Sequence, residues 1–164
     1  MVNKLFSQEI DIQATDIEFI NDQNLTIANN ATAIVKKDGI IIKGEKVEYF
    51  KDDSFLLIKN GTILTTTKNF EIDSDIIEYK IDKSMLYLRE NVKVKDNVNN
   101  LLMSSNEIDY NVKKQEIISQ DSSEIIDEFN NIYKVDGFEY SIGNRIIKLD
   151  NLIALDKNKN SFLV

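Results

Sequence analysis

Of the side chains that ordinarily do covalent or acid–base chemistry, this sequence offers carboxylates, hydroxyls, phenols and amines, but no histidine and no cysteine. That removes the usual general base, the usual zinc ligands, the neutral-pH switch and any disulfide. The 28 acids could pair by chance, yet none stands at a distinctive spacing. No nucleophilic triad can be drawn, and five thinly spread glycines form no phosphate-cradling loop. An enzyme is therefore not expected, and neither is a cofactor. Asp156-Lys157-Asn158-Lys159-Asn160 resembles the start of a calcium loop, but Ser161 stands where glycine is needed. A polar turn is the better reading. Asn24-Leu25-Thr26, Asn30-Ala31-Thr32 and Asn60-Gly61-Thr62 fit the glycosylation acceptor pattern, which arises by chance in an Asn-rich chain. Tyr49, Tyr79, Tyr110 and Tyr140 recur at intervals of 30 or 31 residues. They make a spatial row if the segments that carry them stack, and such a row is more often structural than a ligand contact.

What positions those tyrosines is a repeat, and a repeat is settled before any other reading. Ile72-Asp73-Ser74-Asp75-Ile76-Ile77-Glu78-Tyr79 is matched 30 residues earlier by Ile42 to Tyr49, and 30 earlier again by Ile12 to Phe19. Going forward, Met103 to Tyr110 and a degenerate Tyr133 to Tyr140 follow. The shared pattern is apolar, any, small, any, any, apolar, acidic, aromatic. Ala14, Gly44, Ser74 and Ser105 hold the small place, and Val135 departs from it.

Each unit reads as strand, polar turn, longer strand. Turn chemistry stands at Asn21 to Asn24, Lys51 to Ser54, Asp82 to Ser84, Lys113 to Gln115 and Gly143 to Arg145. The second strands, Leu25 to Val35, Phe55 to Thr66, Met85 to Lys95, Glu116 to Ile126 and Ile146 to Leu155, are rich in β-branched residues. Leu86-Tyr87-Leu88-Arg89 and Val92-Lys93-Val94-Lys95 alternate with the strand period. Asp127 to Asn131 is the best place for a helical turn or irregular loop. Polar interruptions at Asn30, Asn60 and Asn91 suggest a bulge or bend inside each second strand. A true turn is the alternative, because Asn60-Gly61 is also a hairpin signal. Parity shifts inside the opening strand as well. Ile72 and Ser74 share one face and Ile77 and Tyr79 the other, so a bend between them brings both pairs inward.

The fold class is therefore all-β, with about five stacked two-strand repeats of ~30 residues over 12–164 and an extension over 1–11. A sheet bent along each long strand folds over itself into a flattened, open tube. The edges have no partner and no proline to blunt them, so strand addition by a similar module is expected. The formal net charge of −8 argues against nucleic acid and anionic membrane surfaces. No apolar run reaches 18 residues, and Met1 to Phe6 do not read as a secretory leader. A new apolar strand begins at Phe162 just as the sequence stops, which reads as a piece of a longer protein.

The repeated opening pattern with its acidic-aromatic end, together with Glu90-Asn91-Val92-Lys93-Val94, resembles the OstA-like repeats of the lipopolysaccharide-transport proteins LptA, LptC and LptD. Glu90 departs from the glycine that precedes Asn-Val in that family. The resemblance implies a twisted, open β-jellyroll in the periplasm, joined edge to edge with homologous jellyrolls, whose apolar groove carries lipopolysaccharide acyl chains without catalysis. The implied energy source lies in another protein. Within the family the expectation falls on the periplasmic N-terminal region of LptD, with its outer-membrane barrel as a partner, although the absent cysteines depart from that member. Groove-lining candidates are Ile17, Phe19, Val47, Tyr49, Ile77, Tyr79, Leu86, Leu88, Val92, Val94, Ile108 and Tyr110. The rival is a structural or adhesive β-solenoid that joins through its edges, with a filled core and no lipid.

Overall fold

The computed structural model describes residues 3–6, 10–65, 69–155 and 161–163. Six long strands make the body: β4 (Leu25–Val35), β5 (Ile40–Phe50), β6 (Phe55–Thr65), β7 (Phe70–Lys80), β8 (Met85–Asp96) and β9 (Leu101–Asn111). Before them come β1 (Asn3–Phe6), β2 (Ile10–Ala14) and β3 (Asp16–Ile20). After them come β10 (Glu116–Ser119), β11 (Ser123–Ile126), β12 (Ile132–Val135), β13 (Gly137–Ser141), β14 (Ile146–Asp150), β15 (Ile153–Leu155) and β16 (Ser161–Leu163). All pairings are antiparallel, and successive long strands are neighbours in sequence order. The stacked all-β array expected from the repeat is the architecture observed. Among the described residues the only helical pieces are two 3-10 turns, Asn21–Gln23 and Lys36–Asp38.

Each long strand serves two layers. In β7, Phe70, Ile72 and Ser74 are buried on one parity and Ile77 and Tyr79 on the other. The break between them lets both halves turn their apolar side chains into one interior. The same happens in β5, where Ile40 and Ile42 are buried and then Val47 and Tyr49. One layer therefore holds β2, β11, β12 and the halves of the long strands paired with them. The other holds β3, β10, β13, β14 and the remaining halves. We call these the first and second layers. Their inner faces share one apolar core.

The fold line between the layers runs through the predicted interruptions. Asn30, Asn60, Glu90 and Asn91 all have positive φ. β8 carries one residue more than its neighbours there, and its register shifts against both β7 and β9, so a true bulge sits at Glu90-Asn91. At Asn30 and Asn60 the register is kept and the strand bends without an insertion. Asn60-Gly61 is not a hairpin turn. Asparagine suits these places because it tolerates the left-handed conformation and its amide can bond locally. Asn60 Nδ2 donates to Glu45 at 2.8 Å, Asn91 Nδ2 to Asp75 at 2.6 Å, and Asn151 Nδ2 to Asp136 at 2.9 Å. These rungs lie along the spine of the folded sheet.

The small residue of the repeat also belongs to this spine. A Cβ on Gly44 would stand 2.3 Å from Ile58 Cγ2, and one on the facing Gly61 would stand 2.6 Å from Ile77 Cδ1. The layers converge here, so a larger side chain has no room. Ser74 is buried at the same place, and its hydroxyl lies 2.8 Å from the carbonyls of both Ile76 and Arg89 beside the bulge.

At the ends of the array the long strands separate into halves. The first opening strand divides at Thr15 into β2 and β3, and the fifth at Asp136 into β12 and β13. The expected single strands Glu116 to Ile126 and Ile146 to Leu155 are likewise β10 with β11, and β14 with β15. A central strand has long neighbours on both flanks that hold its halves in one path, which these terminal strands lack. β1 pairs with β2, so part of the stretch expected to precede the repeats also joins the sheet. Asp127–Asn131 is a tight turn around the Asp127 carboxylate, which accepts from the N–H groups of Phe129 and Asn131, each at 2.9 Å. The calcium-loop-like segment 156–160 lies outside the described residues.

Candidate functional site

The repeat puts most of the groove-lining candidates in the interior between the layers. Val47, Tyr49, Ile77, Tyr79, Leu86, Leu88, Val92, Val94, Ile108 and Tyr110 all belong to the buried core. Ile17 packs partly buried against it. Phe19 does not join them: it is 55% exposed on β3. Its parity matches that of Tyr49, but among the described residues β3 pairs with β4 alone. Sequence periodicity carries no signal for that difference.

The interior is filled. Val47, Ile77, Tyr79, Leu86, Leu88 and Val94 have no exposed surface at all. The backbone ladder holds each layer together and turns continuously around the spine. Opposite the spine no strand among the described residues joins the two layers, and the described contacts that close that side are made by side chains.

The contacts on that side were not anticipated. Asp38, in the turn between β4 and β5 of the first layer, accepts hydrogen bonds from the Tyr79 hydroxyl and, at 2.8 Å, from Ser84 Oγ, both in the second layer. Phe70 of the first layer stacks on Tyr110 of the second with ring centroids 6.4 Å apart. Asp96 and Asn99 of the first layer meet Tyr140 of the second. The phenol donates to Asp96 at 2.6 Å and accepts from Asn99 Nδ2 at 2.9 Å. Tyr79, Tyr110 and Tyr140 of the tyrosine row thus make a line of closures. Asp38 and Tyr79 lie 41 residues apart and Asp96 and Tyr140 lie 44 apart, so no local motif shows them.

These environments move the proton affinities. Burial, then the Asp38 bond and charge, raises the Tyr79 phenol far above its ordinary value. Burial and the Asp38 charge push Tyr110 up to about 12. Burial and the Asp96 bond raise Tyr140. For Asp96, burial alone pushes upward, but the bonds from Tyr140, Asn99 and the backbone of Asn99 and Val98 win and hold it below the ordinary range.

The sign for the phenols follows from linkage. A folded phenol that keeps its proton longer than the unfolded one stabilises the fold fully below the unfolded value near 10. That stabilisation is lost as pH rises through the folded value, about 12 for Tyr110. Absorbance titration near 295 nm is therefore expected to show a late step. Tyr79, Tyr110 and Tyr140 should ionise together with loss of β-sheet circular dichroism, after any freely titrating tyrosine. A single smooth step near pH 10 with the sheet intact would contradict the placement of these rings.

Outside the core, a cleft of about 520 Å³ is lined by polar and charged side chains such as Lys93, Ser104, Ser122 and Lys134, with Val92, Val135 and Ile153. It does not connect the groove candidates to one another.

Comparison with known proteins gives one family. The model of the family described as "Lipopolysaccharide-assembly, LptC-related" matches residues 1–151. No curated protein matches the sequence. Among solved structures the chain is similar to LptH from Pseudomonas aeruginosa, described as the LptA homologous periplasmic component of the conserved lipopolysaccharide transport device. That likeness has 13% identity and a TM-score of 0.34, over 87% of this chain and 82% of that one. Neither comparison supports the narrower expectation of the LptD region.

Proposed function

Because this chain belongs to the LptC-related lipopolysaccharide-assembly family, we propose that it is a periplasmic, non-catalytic component of lipopolysaccharide transport that takes acyl chains between its two layers. The observation that carries this reading is the single apolar interior shared by all the repeats and left unjoined by backbone along one side. Each methylene moved from water into such an interior contributes about 0.8 kcal/mol, so several acyl chains together give strong retention. The sugar head stays in water at the unjoined side. Since the interior is filled, an entering chain has to part the layers and displace core side chains, which offsets some of that gain.

The exposed edges supply the places for homologous partners. Among the described residues β3 ends the second layer at one end of the array and β14 at the other, each with one paired neighbour. Phe19 and Ile146 are exposed on these two strands. Addition of a strand from a similar jellyroll would satisfy the open backbone groups and cover both side chains.

The test is photo-crosslinking in cells that make lipopolysaccharide. A photoreactive residue at Leu88 is expected to give a lipopolysaccharide adduct, and one at the exposed Lys113 none. Absence of an adduct from Leu88, Tyr79 and Ile108 alike would end the transport reading and leave the edge-joined scaffold, for which a filled core is also suitable.

A further inference from the structure

The three contacts opposite the spine share one geometry. In each, a side chain near a first-layer strand end meets a tyrosine of the second layer. Asp38 meets Tyr79, Phe70 meets Tyr110, and Asp96 with Asn99 meets Tyr140. Two of the three are hydrogen bonds to buried or partly buried carboxylates, and Asp96 is only 1% exposed. Ser84, with no exposed surface, adds a second bond to the Asp38 carboxylate. Among the described residues no strand of one layer pairs with the other layer at this side. These are specific side-chain contacts at a boundary where the described layers can part without breaking a sheet ladder.

From this we infer that the seam opposite the spine is the route by which an acyl chain enters the interior, and that Asp38 and Asp96 are its latches. The inference rests on the transport reading and adds to it the place of entry and the residues that set its rate. A latch of this kind suits the task. A bond from a phenol to a carboxylate is strong when dry and is replaced by water when the lips part, so it closes the interior without fixing it shut. Phe70 on Tyr110 is the apolar counterpart between the two polar latches. It lets the middle of the seam slide over hydrocarbon.

Tyr79→Phe and Tyr140→Phe remove one oxygen each and keep the rings that fill the core. In the double variant, with a photoreactive residue at Leu88, the rate of lipopolysaccharide adduct formation is expected to rise by about tenfold, the scale of a bond to a charged group. Hydrogen exchange of the amides of residues 38–42 and 96–101 should accelerate in the same variant without lipid, while the spine amides near Asn60 hold. The natural absence of cysteine permits the converse experiment. Asp38→Cys with Ser84→Cys, joined by a short cleavable thiol crosslinker, should suppress the adduct, and cleavage should restore it.

An unchanged adduct rate in the double variant, or an undiminished adduct in the crosslinked protein, would overturn the seam as the entry route while leaving the transport reading in place. Absence of any adduct at Leu88 in the unaltered protein would instead remove the transport reading, and the entry route with it. If the phenylalanine variants fail to fold, the crosslinked pair decides the question alone.

Discussion

Gly44→Val is expected to cost ~3 kcal/mol or more and to leave little folded protein at 37 °C. The position lies on the spine, where a Cβ would stand 2.3 Å from Ile58 Cγ2 and 3.3 Å from the Lys59 carbonyl oxygen. A branched side chain makes both contacts worse. The neighbour cannot retreat easily, because Ile58 is itself buried and faces Val47 and Ile77 across the adjacent strands. The facing Gly61 is equally confined, with Ile77 Cδ1 at 2.6 Å and the Lys43 carbonyl oxygen at 3.1 Å from its would-be Cβ. The effect should appear as a lower urea midpoint at unchanged slope, since the surface exposed on unfolding stays the same. Gly143→Ala is the control. Its nearest neighbour is the end of the Gln115 side chain at 3.2 Å, which can swing away. It should shift stability by no more than ~0.5 kcal/mol. Equal tolerance of both substitutions would mean that the layers do not converge at Gly44.

Leu88→Ala is expected to cost ~2–5 kcal/mol. Leu88 has no exposed surface, and Ile77 and Ile108 face it from the flanking strands. Removing its isobutyl group leaves a space that two hydrogen-bonded neighbours cannot close. Phe19→Ala should cost no more than ~0.5 kcal/mol, because that ring is more than half exposed on an edge strand. The contrast separates candidates that periodicity alone treats as equivalent. If Phe19→Ala proved as costly as Leu88→Ala, the edge position of β3 would be wrong. Leu88→Ala has a second readout. The added space should favour acyl-chain entry, so a loss of stability accompanied by an equal or higher adduct yield at a neighbouring probe such as Ile108 is the expected pair of results.

Much of this architecture was legible because the repeat states its constraints several times. The small residue at Gly44 and Ser74, the parity change after it and the asparagine 30 residues apart in Asn30 and Asn60 all report one physical event, the folding of a strand into two layers. Local chemistry is enough to read it. The division of the terminal strands was not legible. The repeat assigns Glu116 to Ile126 to one strand, and what splits it is the cluster of Ser119, Ser123 and the Asp121 carbonyl at the break, together with short partners beyond. Nor was the role of Asp38. It reads as a turn acid beside Lys37 and Gly39, and its partner stands in another unit across the molecule. Pairings of that kind depend on how the layers close, which the period does not encode.

The turns of the second layer are bonded to one another. The N–H groups of Lys51, Ile81, Val112 and Ile142 donate to the carbonyls of Asn24, Ser54, Ser84 and Gln115 at 2.9–3.0 Å. Those turns make a continuous rail from one repeat to the next. Along the rim of the first layer the corresponding described link is Asn97 to Asn69 at 2.9 Å. One cover of this book is therefore stiffened along its free margin, and a passenger wedging the volume open would meet a rim that yields as one piece, its strain shared among successive pages.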